Sequence, residues 1–160
     1  MNNLSFHITD ITANSIRANA SEIGLSVEEQ DTRIVIRITD NGLGMDAETA
    51  RRVTNPFYTT RTTRKVGLGL PFLIQNAEQT GGSVTLTSEP GKGTEVRAVF
   101  HSDHIDCPPW GDLPGTVALL ITGNPEINVC FEYRSGETGY SISTNEIKEI
   151  LDGVPLSHPK

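Results

Sequence analysis

Ile8, Ile11, Ile16 and Ala20 recur at close to helical spacing, so the apolar pattern predicts a first helix over about residues 5–20. The pattern then changes period. "EIGLSVEE" and "TRIVIRITD" alternate apolar and polar positions, with Ile34, Ile36 and Ile38 on one face. They read as neighbouring antiparallel strands with a turn near Gln30 and Asp31. "DAETARRV" reads as a short helix capped by Asp46. Residues 54–66 carry threonines, a proline and the basic side chains Arg61, Arg64 and Lys65 without periodicity, and are expected to be a loop. From Gly67, the apolar positions Leu68, Leu70, Phe72, Leu73 and Ala77 predict a second long helix stopped by Gly81-Gly82. A hairpin follows, with strands near 83–88 and 94–100 around Pro90-Gly91.

"HSDHIDCPPWGDLPG" breaks the pattern with three prolines and two glycines and reads as a linker or irregular crossing. Beyond it come a short helix at "TVALLITG", a hairpin turning at Ser135-Gly136, and a helix opened by Ser143 with Glu146 three residues on, a capping-box spacing. The expected architecture is an α+β two-layer sandwich, a mixed and mostly antiparallel sheet with helices on one face, plus a small α-β-β-α extension. The expected division is a domain over 1–101, a linker over 102–115 and an extension over 116–160. The tail hairpin either extends the main sheet or packs as a separate lobe, since "INVCFEY" would be a hazard as a bare edge.

Composition narrows the class. The 160 residues are 36% hydrophobic and 21% charged, as in an ordinary globular protein. A net charge of −7 disfavours nucleic acid and anionic membrane as partners. "MNNLSFHITD" lacks the features of a signal peptide, and the longest apolar run, Val117 to Ile121, is too short for a bilayer. Cys107 and Cys130 do not make a disulfide framework, so a cytoplasmic protein is expected.

Three short motifs carry chemistry. Asp10, Asn14 and Arg17, spaced four and three apart, share one helix face. Asp40-x-Gly42-x-Gly44 ends a strand, where an aspartate can accept a hydrogen bond from an exocyclic amine such as that of adenine. Gly67-x-Gly69 opens a helix, whose N–H groups and dipole suit a phosphate. The Asn14 oxygen suits Mg²⁺, which keeps few protein ligands beside phosphates and waters. Asp10 is placed to orient or deprotonate an attacking hydroxyl or water. Each motif alone is common, and an Asp-Asn pair on a helix is usually a solvated face. Their order gives them weight.

In that order the chain resembles the GHKL, or Bergerat-fold, ATPase superfamily of DNA gyrase, the heat-shock chaperone, histidine kinases and mismatch-repair proteins. "DITANSIRANASEI" resembles its N box, "DNGLGM" its G1 box and "NPFYTTR" the F box of histidine kinases. "VGLGL" resembles its G2 box and "GKGTEV" its G3 box, so the likeness covers about residues 5–100. It is greatest to the ATP-binding domain of histidine kinases, standing alone. The resemblance implies that Asn14 binds Mg²⁺ and Arg17 a phosphate. It implies that Asp40 binds the adenine amine in a pocket shaped by Gly42, Gly44 and Met45, with Thr94 supporting both. Gly67, Leu68 and Gly69, with Leu70 following, would meet the phosphates. Residues 54–66 would be the ATP lid, with Arg61, Arg64 or Lys65 reaching the triphosphate.

The chain also departs from the family. Nine residues precede Asp10, too few for a dimerising helical hairpin, so either the phosphoacceptor partner is expected to be a separate chain or autokinase activity is expected to be absent. His7, one turn before Asp10, is expected to be packed or solvated rather than phosphorylated. Hydrolytic members carry glutamate at the position of Asp10, so the shorter aspartate implies weaker turnover. His101, Asp103, His104, Asp106 and Cys107 include metal-ligating types, but their spacing lacks the paired ligands of a zinc site. Trp110, beside two prolines, is expected to pin the linker to the core. The implied function is Mg-ATP binding with histidine-kinase-like or anti-sigma-type serine phosphotransfer, or slow ATP hydrolysis, toward an unidentified protein partner. The alternative is a non-catalytic sensor that switches a partner through its lid or tail.

Overall fold

The computed structural model describes residues 3–54 and 69–151. Helix α1 (Leu4–Arg17) starts at Asn3, whose side chain accepts the Phe6 N–H at 2.6 Å. It ends three residues before the predicted limit because Asn19 turns left-handed at φ 64°, closing the last turn through Ala20 N–H to Ser15 O at 3.2 Å. Strands β1 (Glu22–Gln30) and β2 (Arg33–Asp40) pair antiparallel, and Asp31 takes φ 55° in their turn. Helix α2 (Ala47–Thr54) is capped by Asp46, whose Oδ1 accepts the Thr49 N–H at 2.8 Å. Helix α3 (Gly69–Gln79) precedes β3 (Ser83–Glu89) and β4 (Gly93–His101).

The later elements are α4 (Leu113–Gly123), β5 (Asn128–Ser135), β6 (Thr138–Ser143) and α5 (Thr144–Leu151). Helix α4 begins before the apolar run that predicted it. Asp112 caps it, and Pro114 sits in the first turn, where its missing N–H costs nothing. The expected capping box is formed at α5: Ser143 N–H donates to Glu146 and Glu146 N–H to the Ser143 hydroxyl.

One six-stranded sheet, ordered β3-β4-β2-β1-β5-β6, runs through the molecule. All neighbours are antiparallel except β1 and β5. The tail hairpin therefore extends the main sheet, and β6 covers the apolar β5. The core lies between the sheet and its helices: Leu25, Val27, Ile36, Val96, Phe100, Val129 and Phe131 from the strands meet Leu4, Ile8, Ile11, Leu73 and Val117 from the helices. The opposite face is more polar, with an Arg37–Glu95 ion pair at 3.0 Å beside the buried pair Val35 and Val99. The linker is tied to the first helix: Leu4 and Ser5 donate their N–H groups to the carbonyls of Pro109 and Trp110, while the Trp110 ring packs on the core as expected.

Candidate functional site

A cavity of about 270 Å³ opens between α1, the ends of β2 and β4, the β2–α2 loop and the start of α3. Helix α1 lines it with Ile11, Asn14, Ser15 and Arg17, and its C-cap residue Ala18 follows. Ile38 and Asp40 from β2 and Thr94 and Val96 from β4 complete the sheet side. Gly44, Met45, Thr49 and Leu70 close it. Asp40 and Thr94 share the cavity because they face each other directly across β2 and β4.

Asp40 is half-buried and anchored at both oxygens. The Ser15 hydroxyl donates to Oδ2 at 2.6 Å, and the Gly42 N–H donates to Oδ1 at 2.9 Å. Opposite Thr94, on the outer strand, stands Ser88. Its hydroxyl lies 2.7 Å from Thr94 Oγ1 and accepts the Met45 N–H at 2.8 Å. Ser88 thus ties the glycine loop after β2 to the β3–β4 hairpin.

The glycines allow that contact. Gly44 has φ 74°, and a Cβ there would lie 1.9 Å from Glu89 O. Gly93 has φ 124°, and its Cβ would meet Asp40 O at 2.0 Å. Two backbone turns touch where no side chain fits. Gly42 contributes its N–H and packs against Ala18 rather than lining the cavity.

Asn14 Oδ1 accepts from Arg17 Nη2 at 2.5 Å, so its carboxamide oxygen already engages a cation. Asp10 stands one helical turn before Asn14 on α1. It lines a neighbouring groove with Phe6, Thr54, Pro71 and Phe72, not the cavity itself. Gly69 is the first residue of α3, as anticipated for a helix-opening glycine. Arg61, Arg64, Lys65, Gly67 and Leu68 lie outside the described residues.

His7 is 2% exposed, its ring 5.3 Å from Phe72 and 6.4 Å from Phe100. Its Nε2 meets Asn76 Nδ2 at 2.7 Å, Nδ1 has no partner, and burial pushes its pKa down to about 4. It is packed, with its ring closed to a phosphodonor. In the linker, His104 Nδ1 accepts the Asp106 N–H at 3.0 Å, and burial, then the Asp103 charge, raises the Cys107 thiol. Among the described residues no three His, Cys, Asp or Glu side chains gather as a metal site.

Ser15, Thr49 and Ser88 escaped the motif reading. Ser15 had a signal: it continues the stripe of Ile8 and Ile11, so a hydroxyl there was bound to be buried. Ser88 had none, because only strand register sets it beside Thr94.

A two-layer sandwich with this sheet and a cavity walled by its first helix and a glycine loop is the GHKL class of architecture. Solved structures agree on the fold. The N-terminal domain of a DNA repair protein superposes with a TM-score of 0.59 at 18% identity, covering 89% of this chain and 52% of that one. The ADP-complexed MutL ATPase domain of Aquifex aeolicus gives 0.54 at 16%, covering 95% of this chain and 70% of that one. Residues 3–104 match the model of the histidine kinase-, DNA gyrase B- and HSP90-like ATPases, and the chain belongs to that family. By family it is an ATP-binding module.

Two kinases of Bacillus subtilis are similar over part of this chain. Sensor histidine kinase YxdK is 29% identical over 104 residues, which is 61% of this chain and 32% of the kinase. Sporulation kinase C is 30% identical over 101 residues, 62% of this chain and 23% of that kinase. The chain therefore spans a third or less of either kinase. Among the described residues no helix is long and apolar enough to cross a membrane.

Proposed function

We propose that the cavity is a Mg-ATP site and that the chain serves cytoplasmic signalling as a phosphotransfer module, histidine-kinase-like or of the anti-sigma serine kinase type, or as a slow ATPase. The observation that carries this reading is Asp40, a doubly anchored carboxylate at the edge of a cavity whose apolar walls are Ile11, Ala18, Ile38, Met45, Leu70 and Val96. The apolar walls suit a flat purine, and the acceptor-only carboxylate suits its exocyclic amine. Thr94 offers a hydroxyl to the same base, and Gly42, Gly44 and Met45 hold the loop beneath it.

Asn14 supplies the one protein oxygen that Mg²⁺ needs beside phosphates and waters, and its present cationic partner supports the fit. Bound there, the metal would neutralise charge on the triphosphate. Arg17 would leave Asn14 for a phosphate, joined by Gly67, Leu68 and Gly69 and by Arg61, Arg64 and Lys65 of the lid. Asp10 would take the proton of an acceptor hydroxyl on an unidentified protein partner.

Calorimetry with ATP, with and without Mg²⁺, tests the site. Micromolar to sub-millimolar binding is expected, Mg-dependent and lost in Asp40→Asn. No binding by the wild type would overturn the reading. A second reading, a non-catalytic ATP sensor, is favoured by the position of Asp10 outside the cavity that holds Asn14 and Asp40. Asp10→Asn separates the two: a kinase loses phosphoryl transfer, whereas a sensor keeps its nucleotide response.

A further inference from the structure

Hydroxyls inside helices usually donate back to their own backbone. Thr12, Thr54 and Thr122 all do so here, each to the carbonyl four residues earlier. Ser15, 3% exposed in the last turn of α1, does not. Its proton goes across the cavity wall to Asp40 Oδ2. A carboxylate accepts only, so the direction of this bond is set. With Gly42 N–H on Oδ1, each oxygen of Asp40 holds one protein donor. The terminal torsion of an aspartate is broad, and these two donors fix the carboxylate plane that the torsion leaves free. The remaining lone pairs then present two acceptors in a set orientation.

We infer that Ser15 is a positioning residue that sets base selectivity, holding Asp40 so that a 6-amino purine is bound in preference to a 6-oxo or unsubstituted purine. This rests on the reading of Asp40 as the base contact. A 6-oxo group would turn its own lone pairs on the carboxylate, and an unsubstituted purine would leave the oriented acceptors unpaired.

The test is calorimetry on the intact chain with ATP, GTP and purine riboside triphosphate, which lacks the 6-amino group. The wild type should bind ATP at least roughly tenfold tighter than either analogue, the scale of one hydrogen bond to a charged group. Ser15→Ala should weaken ATP about tenfold and leave the amino-free analogue unchanged, with the unliganded melting temperature followed alongside. Ser15→Cys, similar in size but a weaker donor, should fall between. Equal losses for ATP and the amino-free analogue, or no loss for either, would mark Ser15 as merely structural and overturn the inference. A wild type that binds no nucleotide would instead remove the ATP site itself. One that binds ATP and the amino-free analogue alike would remove only the Asp40 contact, and in both cases the inference falls with it.

Discussion

His7 shows how one side chain can set the acid limit of this fold. In the unfolded chain it titrates near the ordinary histidine value of 6.5, but burial in the core lowers its pKa to about 4. Between those values the unfolded state binds the extra proton, so stability is complete above about 6.5 and falls as pH drops toward 4. The loss amounts to at most about 3 kcal/mol, from ~1.4 kcal/mol per pH unit. Urea midpoints from pH 4 to 7 should show this slope in the wild type. It should be flattened in His7→Phe combined with Asn76→Leu, which removes the partner along with the imidazole so that no buried amide is orphaned. An equal slope in the variant would assign the acid sensitivity to carboxylates elsewhere. The residue type was plain in the sequence and its burial was not, because only the approach of Phe72 and Phe100 from α3 and β4 decides it.

At the level of elements, the loop after β2 and the β3–β4 hairpin behave as one unit. Leu43 O accepts the Gly91 N–H at 2.7 Å, and Ser88 takes Met45 N–H. Gly44→Ala should therefore do more than strain a left-handed backbone, since its Cβ would run into Glu89 O. A cost of at least ~2 kcal/mol in the urea midpoint is expected, because neither backbone can yield cheaply. ATP affinity should fall with it as the Asp40 loop is displaced. A neutral effect would mean that the two turns are not held together. The glycine motif was legible as a site, but its physical cause was not. The periodicity of a strand says nothing about which distant turn will pack on it.

The whole molecule is held together from its C-terminal side. β5 pairs with β1 over eight positions, from Glu22 opposite Asn128 to Glu29 opposite Ser135. Val129 and Phe131 are buried in the common core, and burying each is worth roughly 1.5–3 kcal/mol. The Pro109 and Trp110 carbonyls meet the first N–H groups of α1, and the Tyr133 hydroxyl donates to Glu29 at 2.9 Å. Ending the chain after His101 would bare the β1 edge and take the acceptors from the Leu4 and Ser5 N–H groups of the helix that carries Asn14 and Ser15. Such a fragment should melt at least 10 °C lower or lose its cooperative transition, although it keeps nearly all of the family region. Calorimetric melting checks this; an unchanged transition would make residues 102–160 an independent appendage.

Local rules were enough for much of this protein. The 3.6- and 2-residue periods laid out the helices and strands, Asp46, Ser143 and Glu146 marked helix starts, and the ordered glycine and aspartate motifs led to the family and to the cavity proposed as its nucleotide site. These features are encoded by residues a few positions apart, where spacing alone fixes which side chains share a face. Tertiary structure decided what depends on contacts between distant segments. It added the tail hairpin to the main sheet, left Asp10 in a groove beside the cavity, buried His7, and set Ser15 and Ser88 against Asp40 and Thr94. The pairings Asp40–Thr94 and Thr94–Ser88 arise from strand register, and strand register is settled only when the whole sheet closes over its core.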